Sequence, residues 1–355
     1  MKNKILLTLL LALALSAIYL FVRPGTTPEP TVNRISWVTM GTVAGLQYQG
    51  DADPAPLLNR IKEVYNEVNR CFSAWETNSM LNRVNARAGE KAVPVSPSFL
   101  SLLTRTLAFS ESSGGAFNPL AGPFIHAWGF NTWKKVPETV PDEKLLSSLK
   151  PLTRWDSVTL ETAPPSVRLP IRGMFLDLGG IAKGYAVDRA WEEARKQGAR
   201  NILIDLGGNL RALGEAAPGR KGWRTAVRNP FKRYDTLSHF LLKSGEAVAT
   251  SGNYERFVTI GGRRYAHIID ARTGRPVSGV ASATVLAPTA EQADALSTLL
   301  FILGPEEGYR FLQKHGQGCE AIWIPDTPQT PTLIVTPGFG ERLSAPPENW
   351  IQRQI

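Results

Sequence analysis

The chain has 355 residues, of which 43% are hydrophobic and 20% are charged, a balance that places it among globular proteins. Basic residues exceed acidic ones to give a net charge of +9, which suits a phosphate-bearing ligand, an acidic partner or simply solubility. No basic-aromatic module typical of nucleic-acid binders is present, so we predict no nucleic-acid partner. The cysteines, Cys71 and Cys319, have no zinc-binding or CxxC spacing, which argues against a cysteine-based metal site.

The N-terminus carries a membrane-targeting pattern. Lys2 and Lys4 precede an uncharged apolar run from Ile5 to Val22, which is typical of an export signal and is long enough to span a bilayer. Apolar residues continue past the small residues of the run, so we predict an uncleaved anchor, with cleavage as the alternative. The positive-inside rule predicts that the rest of the chain is exported.

Four segments follow from these patterns. Residues 1–22 form the signal or anchor segment, and the prolines of residues 23–35 indicate a linker without a core of its own. We predict one large domain over residues 36–345 and a short C-terminal tail over residues 346–355.

The first half of the domain alternates helices, loops and short strands. The predicted strands are 36–48, 158–160 and 167–176, the last two pairing as a hairpin. The predicted helices are 57–72, from its apolar stripe, a helix that begins at Ser96-Pro97, and 142–149.

The second half is richer in strands. They are predicted at 201–206, 239–243, 247–251, 255–260, 263–269, 281–287, 321–324 and 333–335. A capping box at Thr289 opens a helix that Gly304 closes, and a short helix at 306–313 follows. We therefore predict an α+β fold, a single large domain with a mainly antiparallel sheet and flanking helices, and not a doubly wound sheet.

The run from Asp177 to Asp188, DLGGIAKGYAVD, reads as a strand end, a Gly-Gly turn and a helix start. Glycines at a helix entrance let a ligand approach the backbone, and the free N–H groups there favour phosphate. Lys183 would add a charge-assisted contact. The alternative is an ordinary strand–turn–helix corner with a surface lysine.

Two further patterns carry candidate chemistry. Asp294 and Thr298 are four residues apart on the capped helix, so their hard oxygen ligands share a face and suit Mg²⁺, unless both side chains are merely solvated.

His267 precedes a turn rich in Asp, Arg and Gly, and alternation places it in a strand with Ile269 on the same face. It is either a general base or ligand contact, or a half-buried strand histidine.

Residues 220–233 contain six basic residues and no acid. A solvated strand edge is the favoured interpretation, because edge strands often carry such charge. A docking surface for an acidic partner is the alternative.

These pieces together resemble the FAD:protein FMN transferases, the ApbE family, over nearly all of residues 36–325. The motifs occur in the family's order: Met40-Gly-Thr, Phe72-Ser, Gly115-Ala-Phe-Asn-Pro, Asp177–Asp188, Asn209 after Gly207-Gly208, Ser251-Gly-Asn-Tyr-Glu-Arg256, His267-Ile-Ile-Asp and Ala293–Thr298. The resemblance implies an exported enzyme that transfers the FMN half of FAD to a threonine of an acceptor protein and releases AMP. It would sit at the bacterial inner membrane with its catalytic domain in the periplasm, acting on a membrane-associated redox protein.

The resemblance also assigns the site. The flavin contacts that it implies are Met40, Trp75, Ala116, Phe117, Asn118, Asp177, Lys183, Ser251, Gly252, His267 and Ile268. The magnesium ligands that it implies are Asp294, Thr298 and the Gly180 carbonyl. As a hypothesis, His267 assists proton removal from the acceptor hydroxyl, with Asp294 as a second catalytic residue.

The sequence departs from the family pattern at three positions. Asn118 stands where the family usually has aspartate, and Asn253 where aspartate often follows Ser-Gly; Trp75 replaces a common tyrosine but still offers a flat ring for stacking. The family's lipid-attachment cysteine is also missing, in keeping with the predicted anchor. Two alternative functions stay open: a magnesium-dependent FAD pyrophosphatase that yields FMN and AMP, and a non-catalytic, membrane-tethered flavin-binding protein.

Overall fold

The computed structural model describes residues 32–50, 53–131, 136–232, 234–344 and 346–355. The helices are α1 Ala55–Phe72, α2 Met80–Asn85, α3 Pro97–Ser112, α4 Gly122–Ala127, α5 Glu143–Leu149, α6 Ala182–Lys196, α7 Ala290–His315 and α8 Pro337–Gly340. The strands are β1 Val32–Thr39, β2 Thr42–Gln49, β3 Val93–Pro94, β4 Thr159–Thr162, β5 Pro165–Arg168, β6 Ile202–Leu206, β7 Asn209–Leu213, β8 Trp223–Arg228, β9 Thr236–Leu242, β10 Ala247–Gly252, β11 Phe257–Ile260, β12 Arg263–Ala266, β13 Ile269–Asp270, β14 Arg275–Pro276, β15 Val280–Ala287, β16 Glu320–Pro325, β17 Thr332–Val335 and β18 Ile351–Gln354.

One large sheet organises the domain. Within the described residues it has nine strands in the order β1-β2-β6-β7-β10-β15-β16-β17-β18. Every neighbouring pair is antiparallel except β17 and β18, which run parallel. The α+β fold with a mainly antiparallel sheet is therefore confirmed.

Helices cover one face of the sheet and a β-ribbon covers the other. The first core joins α1, α6 and α7 to the sheet through residues such as Ile61, Val187 and Leu299. On the opposite face, Trp223 and Phe240 of the β8–β9 ribbon pack against sheet residues such as Ile322. A third, smaller core lies beneath α4, α5 and the β11–β12 hairpin. This third core holds the β11–β12 hairpin beside the candidate site described below.

Local sequence signals fix the helix ends as predicted. The Ser96 hydroxyl accepts a hydrogen bond from the Phe99 N–H at 3.2 Å, and the Thr289 hydroxyl accepts one from the Gln292 N–H, also at 3.2 Å. Each satisfies a backbone donor that the first helical turn leaves unpaired. Gly304 interrupts α7 with a left-handed φ of 71°, as its predicted role at a helix end requires.

The segment predicted as one strand over residues 36–48 is a hairpin of β1 and β2. Met40 and Gly41 form its turn, with φ values of 48° and 69°. Such a left-handed pair matches the right-handed twist of the flanking strands. The single-strand prediction was wrong because side-chain alternation continues on both sides of a turn that contains only one glycine.

Two other strand predictions were too long. The strand predicted over residues 167–176 ends at Arg168, since Pro170 lacks a donor for the ladder and Gly173 has a φ of 94°. The strand predicted over residues 263–269 breaks between Ala266 and Ile269, so His267 lies in the irregular link between β12 and β13.

The ends of the domain extend beyond the predicted limits. Strand β1 begins at Val32, inside the predicted linker, and β18 lies within the predicted tail. Both add edge strands to the large sheet, where backbone pairing needs little apolar sequence signal. The predicted anchor lies outside the described residues. Among the helices that are described, none is long and apolar enough to cross a bilayer.

Candidate active site

A cleft of about 1070 Å³ opens beside the large sheet, between the β1–β2 turn, the loop after α3, the start of α6 and the body of α7. Every residue that the sequence assigned to the site lines this cleft. These are Met40, Trp75, Ala116, Phe117, Asn118, Asp177, Gly180, Lys183, Ser251, Gly252, His267, Ile268, Asp294 and Thr298. Residues separated by up to 258 positions in the chain thus meet in one place.

Asp177 stabilises the turn before α6 through two hydrogen bonds. Its carboxylate oxygen Oδ1 accepts a hydrogen bond from the Gly179 N–H at 2.7 Å, and its own N–H donates to the Pro119 carbonyl at 2.7 Å. The first bond stabilises the turn itself, and the second ties it to the loop after α3. Gly180, Ala182 and Lys183 then bring the N-terminal end of α6 to the cleft, a position that favours an anion.

Asp294 is the buried carboxylate of the site, with 3% of its surface exposed. Its Oδ2 accepts a hydrogen bond from the Gly184 N–H at 2.9 Å, and its Oδ1 lies 3.3 Å from Lys183 Nζ. Lys183 Nζ also donates to the Gly179 carbonyl at 3.2 Å. One carboxylate oxygen is therefore used for structure, while the other faces a cation.

Three hydroxyl groups cluster where the end of β10 meets α7. Ser251 Oγ lies 2.9 Å from Ser297 Oγ and 3.4 Å from Thr298 Oγ1. A Cβ added at Gly180 would lie 3.3 Å from Thr298 Oγ1 and 3.0 Å from Phe117 Cε2, so only glycine leaves this wall in place without displacing a neighbour. The predicted proximity of the Gly180 turn to the Asp294 and Thr298 helix is thus present.

His267 is fixed by a single carbonyl group. Its backbone N–H donates to the Arg256 carbonyl at 3.2 Å, and its Nδ1 lies 3.1 Å from the same oxygen. A carbonyl only accepts hydrogen bonds, so Nδ1 carries the proton and Nε2 carries the lone pair. Burial, and then the nearby Arg256 charge, lower the pKa of His267 to about 4, which keeps the ring neutral near pH 7.

The two asparagines that depart from the family pattern have structural partners. Asn118 Nδ2 donates to the Thr153 carbonyl at 2.9 Å, and its Oδ1 accepts from the Leu120 N–H at 2.8 Å. Asn253 Nδ2 donates to Asp326 Oδ2 at 3.0 Å. An aspartate could not donate a hydrogen bond to the Thr153 carbonyl or to Asp326. Asparagine therefore fits both positions in this chain.

Apolar and aromatic side chains also line the cleft, with the ring of Trp75 at its exposed side. Met40 stands at the β1–β2 turn, Trp75 is 55% exposed, and Ile268 is buried beside His267. Flat apolar and aromatic surfaces of this kind suit a stacked ring system.

The structure adds Arg256, which the sequence analysis treated only as the last residue of a motif. Arg256 lines the cleft, and a Cβ added at Gly41 would lie 3.5 Å from its guanidinium, so its side chain reaches across to the β1–β2 turn. No ion pair with Arg256 occurs in the described part of the chain. A half-buried guanidinium without an ion pair is a candidate binding group. It could not be recognised from the sequence, because its surroundings depend on the tertiary fold.

Together these groups define a ligand-binding α+β domain whose cleft joins an aromatic mouth to a cationic, oxygen-rich floor. The family model described as the ApbE family matches residues 40–323. The chain belongs to the ApbE family.

Known relatives agree with this assignment. The chain is 36% identical over 307 residues to the FAD:protein FMN transferase of Treponema pallidum, which covers 81% of this chain and 83% of that protein. A crystal structure of the ApbE protein of Thermotoga maritima has a TM-score of 0.79 at 29% identity, covering 88% of this chain and 99% of the other. The apo flavinyl transferase ApbE of Pseudomonas stutzeri has a TM-score of 0.77 at 26% identity, covering 89% and 98%.

Proposed function

We propose that this chain transfers the FMN moiety of FAD to a threonine hydroxyl of an acceptor protein and releases AMP. The observation that carries the proposal is the meeting of Lys183, Asp294 and Thr298 at the Gly180 turn, at the floor of a cleft with an aromatic mouth. The relatives named FAD:protein FMN transferase support the same chemistry.

The floor of the cleft fits a magnesium ion. Asp294 Oδ1 already faces the ammonium group of Lys183, so this position accepts a positive charge. The Thr298 hydroxyl and the backbone at Gly180 border the same space, and hard oxygen donors are those that Mg²⁺ prefers. Asp294, Thr298 and the Gly180 carbonyl would hold the ion, which would supply charge neutralisation for the FAD pyrophosphate.

The remaining residues orient the substrate and move the proton. Lys183 and Arg256 supply positive charge for the phosphate oxygens. The acceptor oxygen forms a bond to the phosphorus on the riboflavin side, the bond from that phosphorus to the AMP oxygen breaks, and AMP leaves. His267 Nε2 takes the proton of the acceptor hydroxyl, since Nδ1 is already protonated.

The pKa of His267 predicts the pH profile of transfer. A histidine with its usual pKa of about 6.5 is about three-quarters protonated at pH 6, whereas one with a pKa near 4 is about 1% protonated there. Only the neutral ring accepts a proton, so we expect the turnover number to stay level from pH 8 to pH 6 and to fall only on approaching pH 4. A fall centred near pH 6.5 in the wild-type protein, absent from His267→Gln, would contradict the assignment.

Mass spectrometry of a candidate acceptor incubated with the protein, FAD and Mg²⁺ tests the transfer itself. We expect covalent FMN on a threonine and one AMP for each FMN attached. Steady release of AMP and FMN without an acceptor, at a rate that an acceptor leaves unchanged, would favour the pyrophosphatase instead. Binding of FAD without any AMP release would favour the non-catalytic alternative.

We also propose that residues 1–22 anchor the protein in the bacterial inner membrane, with the catalytic domain in the periplasm. The lysines before the apolar run support this orientation. The acceptor would then be a membrane-associated redox protein that exposes its threonine on the same side. Protease treatment of spheroplasts tests the location: digestion of the catalytic domain is expected, and its protection would contradict the proposal.

A further inference from the structure

Two β-ribbons flank the mouth of the cleft, β8–β9 and β11–β12, here called the rim ribbons. In β8 the residues Trp223, Thr225 and Val227 are buried, whereas their neighbours on the other face are exposed. The exposed residues are Arg224, Ala226 and Arg228, of which the last two also line the cleft. Thr225, on the buried face, also lines the cleft, so β8 forms part of the cleft wall and its exposed face begins there.

The second ribbon has the same construction. Val258 and Ile260 of β11 are buried in the third core, while Phe257 is 39% exposed and lines the cleft. The guanidinium of Arg264 lies 3.7 Å from the centre of the Phe257 ring. Each ribbon thus presents arginine beside apolar surface, and no described element covers either outer face.

The rim ribbons are strongly basic. Residues 223–242 and 257–266, the two ribbons with their turns, contain six basic residues and one acidic residue in the sequence. Glu255 forms an ion pair with Arg228 at 2.9 Å, and Asp235 accepts a hydrogen bond from Asn229 Nδ2 at 3.0 Å. Arg224 and Arg264 are exposed, and neither lines the cleft. Because neither side chain lines the cleft, a nucleotide inside it does not account for their charge.

We propose that the rim ribbons dock an acidic stretch of the acceptor polypeptide, next to its acceptor threonine. This inference rests on the proposed function, because a hydroxyl that enters the cleft must bring its flanking residues across the rim. Complementary charge steers such an encounter and fixes its register more than it adds affinity. The exposed Phe257 gives the same segment an apolar contact beside the arginines.

Two synthetic peptides with the same central threonine test the docking, one flanked by aspartates and the other by lysines. Their binding to the full-length protein is measured by fluorescence anisotropy with FAD present, at low and high salt. We expect the aspartate peptide to bind about tenfold more tightly at low salt, and the difference to shrink at high salt. Equal affinities would overturn the proposal.

Charge reversal then locates the surface. Arg224→Glu with Arg264→Glu should weaken binding of the aspartate peptide about tenfold, with the matching glutamine pair intermediate. The control pair, Arg310→Glu with Lys314→Glu on the exposed face of α7, makes the same charge change and should leave binding unaltered. Equal weakening by the control pair would show that only the net charge of the protein matters. A raised KM for FAD in the rim variants would place the arginines in the nucleotide site. Either result overturns the proposal.

Two further readouts separate the outcomes. If the rim variants lose binding to anionic phosphatidylglycerol vesicles but keep the peptide preference, the surface faces the membrane and the docking proposal fails. Mass spectrometry of both peptides reports covalent FMN independently of binding. A peptide that binds with the expected charge preference but is never flavinylated contradicts the transfer and leaves the docking surface standing.

Discussion

Asp294→Asn should lower the rate of FMN transfer by about 10³-fold while the domain stays folded. Asparagine has the same shape, and its side-chain oxygen still accepts the Gly184 N–H that Asp294 Oδ2 binds at 2.9 Å. The substitution removes the negative charge that faces Lys183 Nζ at 3.3 Å. It therefore removes the only anionic ligand in the proposed magnesium set without creating a cavity.

The measurement is the turnover number at saturating FAD and acceptor, together with thermal unfolding and calorimetric titration of Mg²⁺. Glu192→Gln, an exposed carboxylate on α6, is the control and should change neither rate nor Mg²⁺ binding. Wild-type transfer by the Asp294→Asn protein would exclude Asp294 from the reaction. A lost unfolding transition would show instead that the carboxylate is chiefly structural.

Local chemistry was readable from the sequence because it depends on neighbours in the chain. The cap at Thr289 and the helix of residues 142–149 each require residue types at fixed short spacings, and both are present. The candidate site residues were predicted by a different route. Their separated motifs matched a known family, and the structure brings them to one cleft.

What the sequence could not give depends on partners far along the chain. His267 was placed in a strand by alternation, but both its N–H and its Nδ1 turn to the carbonyl of Arg256, eleven residues earlier. The reach of Arg256 toward Gly41 has no local signal either. The basic run was interpreted as a strand edge; β8 carries two of its residues, Arg224 and Arg228, and only the burial pattern shows which face of the strand meets the core.

Gly184, where α6 packs on α7, is the residue whose role was hardest to recognise in the sequence. Gly184 was only one position of a glycine-rich motif, yet it lies directly against the first turn of α7. Asp188, one turn further on, accepts hydrogen bonds from the Ala290 and Glu291 N–H groups at the start of α7, at 2.8 and 2.9 Å. The two contacts together fix the register of α7, and hence the position of Asp294 against the Gly180 turn.

Gly184→Ala should destabilise the domain by at least about 3 kcal/mol. A Cβ at this position would lie 2.1 Å from the Ala290 carbonyl oxygen and 2.7 Å from Asp294 Cβ. The first of these is backbone, so α7 must move instead of a side chain turning aside. Alanine is the better helix former by about 1 kcal/mol, but this gain is smaller than the cost of the clash.

Gly198→Ala makes the same chemical change just beyond the end of α6 and separates the clash from backbone effects. No atom lies within 4 Å of a Cβ there, but the φ of 81° should cost about 1 kcal/mol. Urea unfolding of both variants should therefore rank Gly184→Ala as clearly the more damaging. Because the displaced helix carries Asp294 and Thr298, any folded Gly184→Ala protein should also transfer FMN slowly. A stable and fully active variant would mean that α7 does not set the geometry of the site.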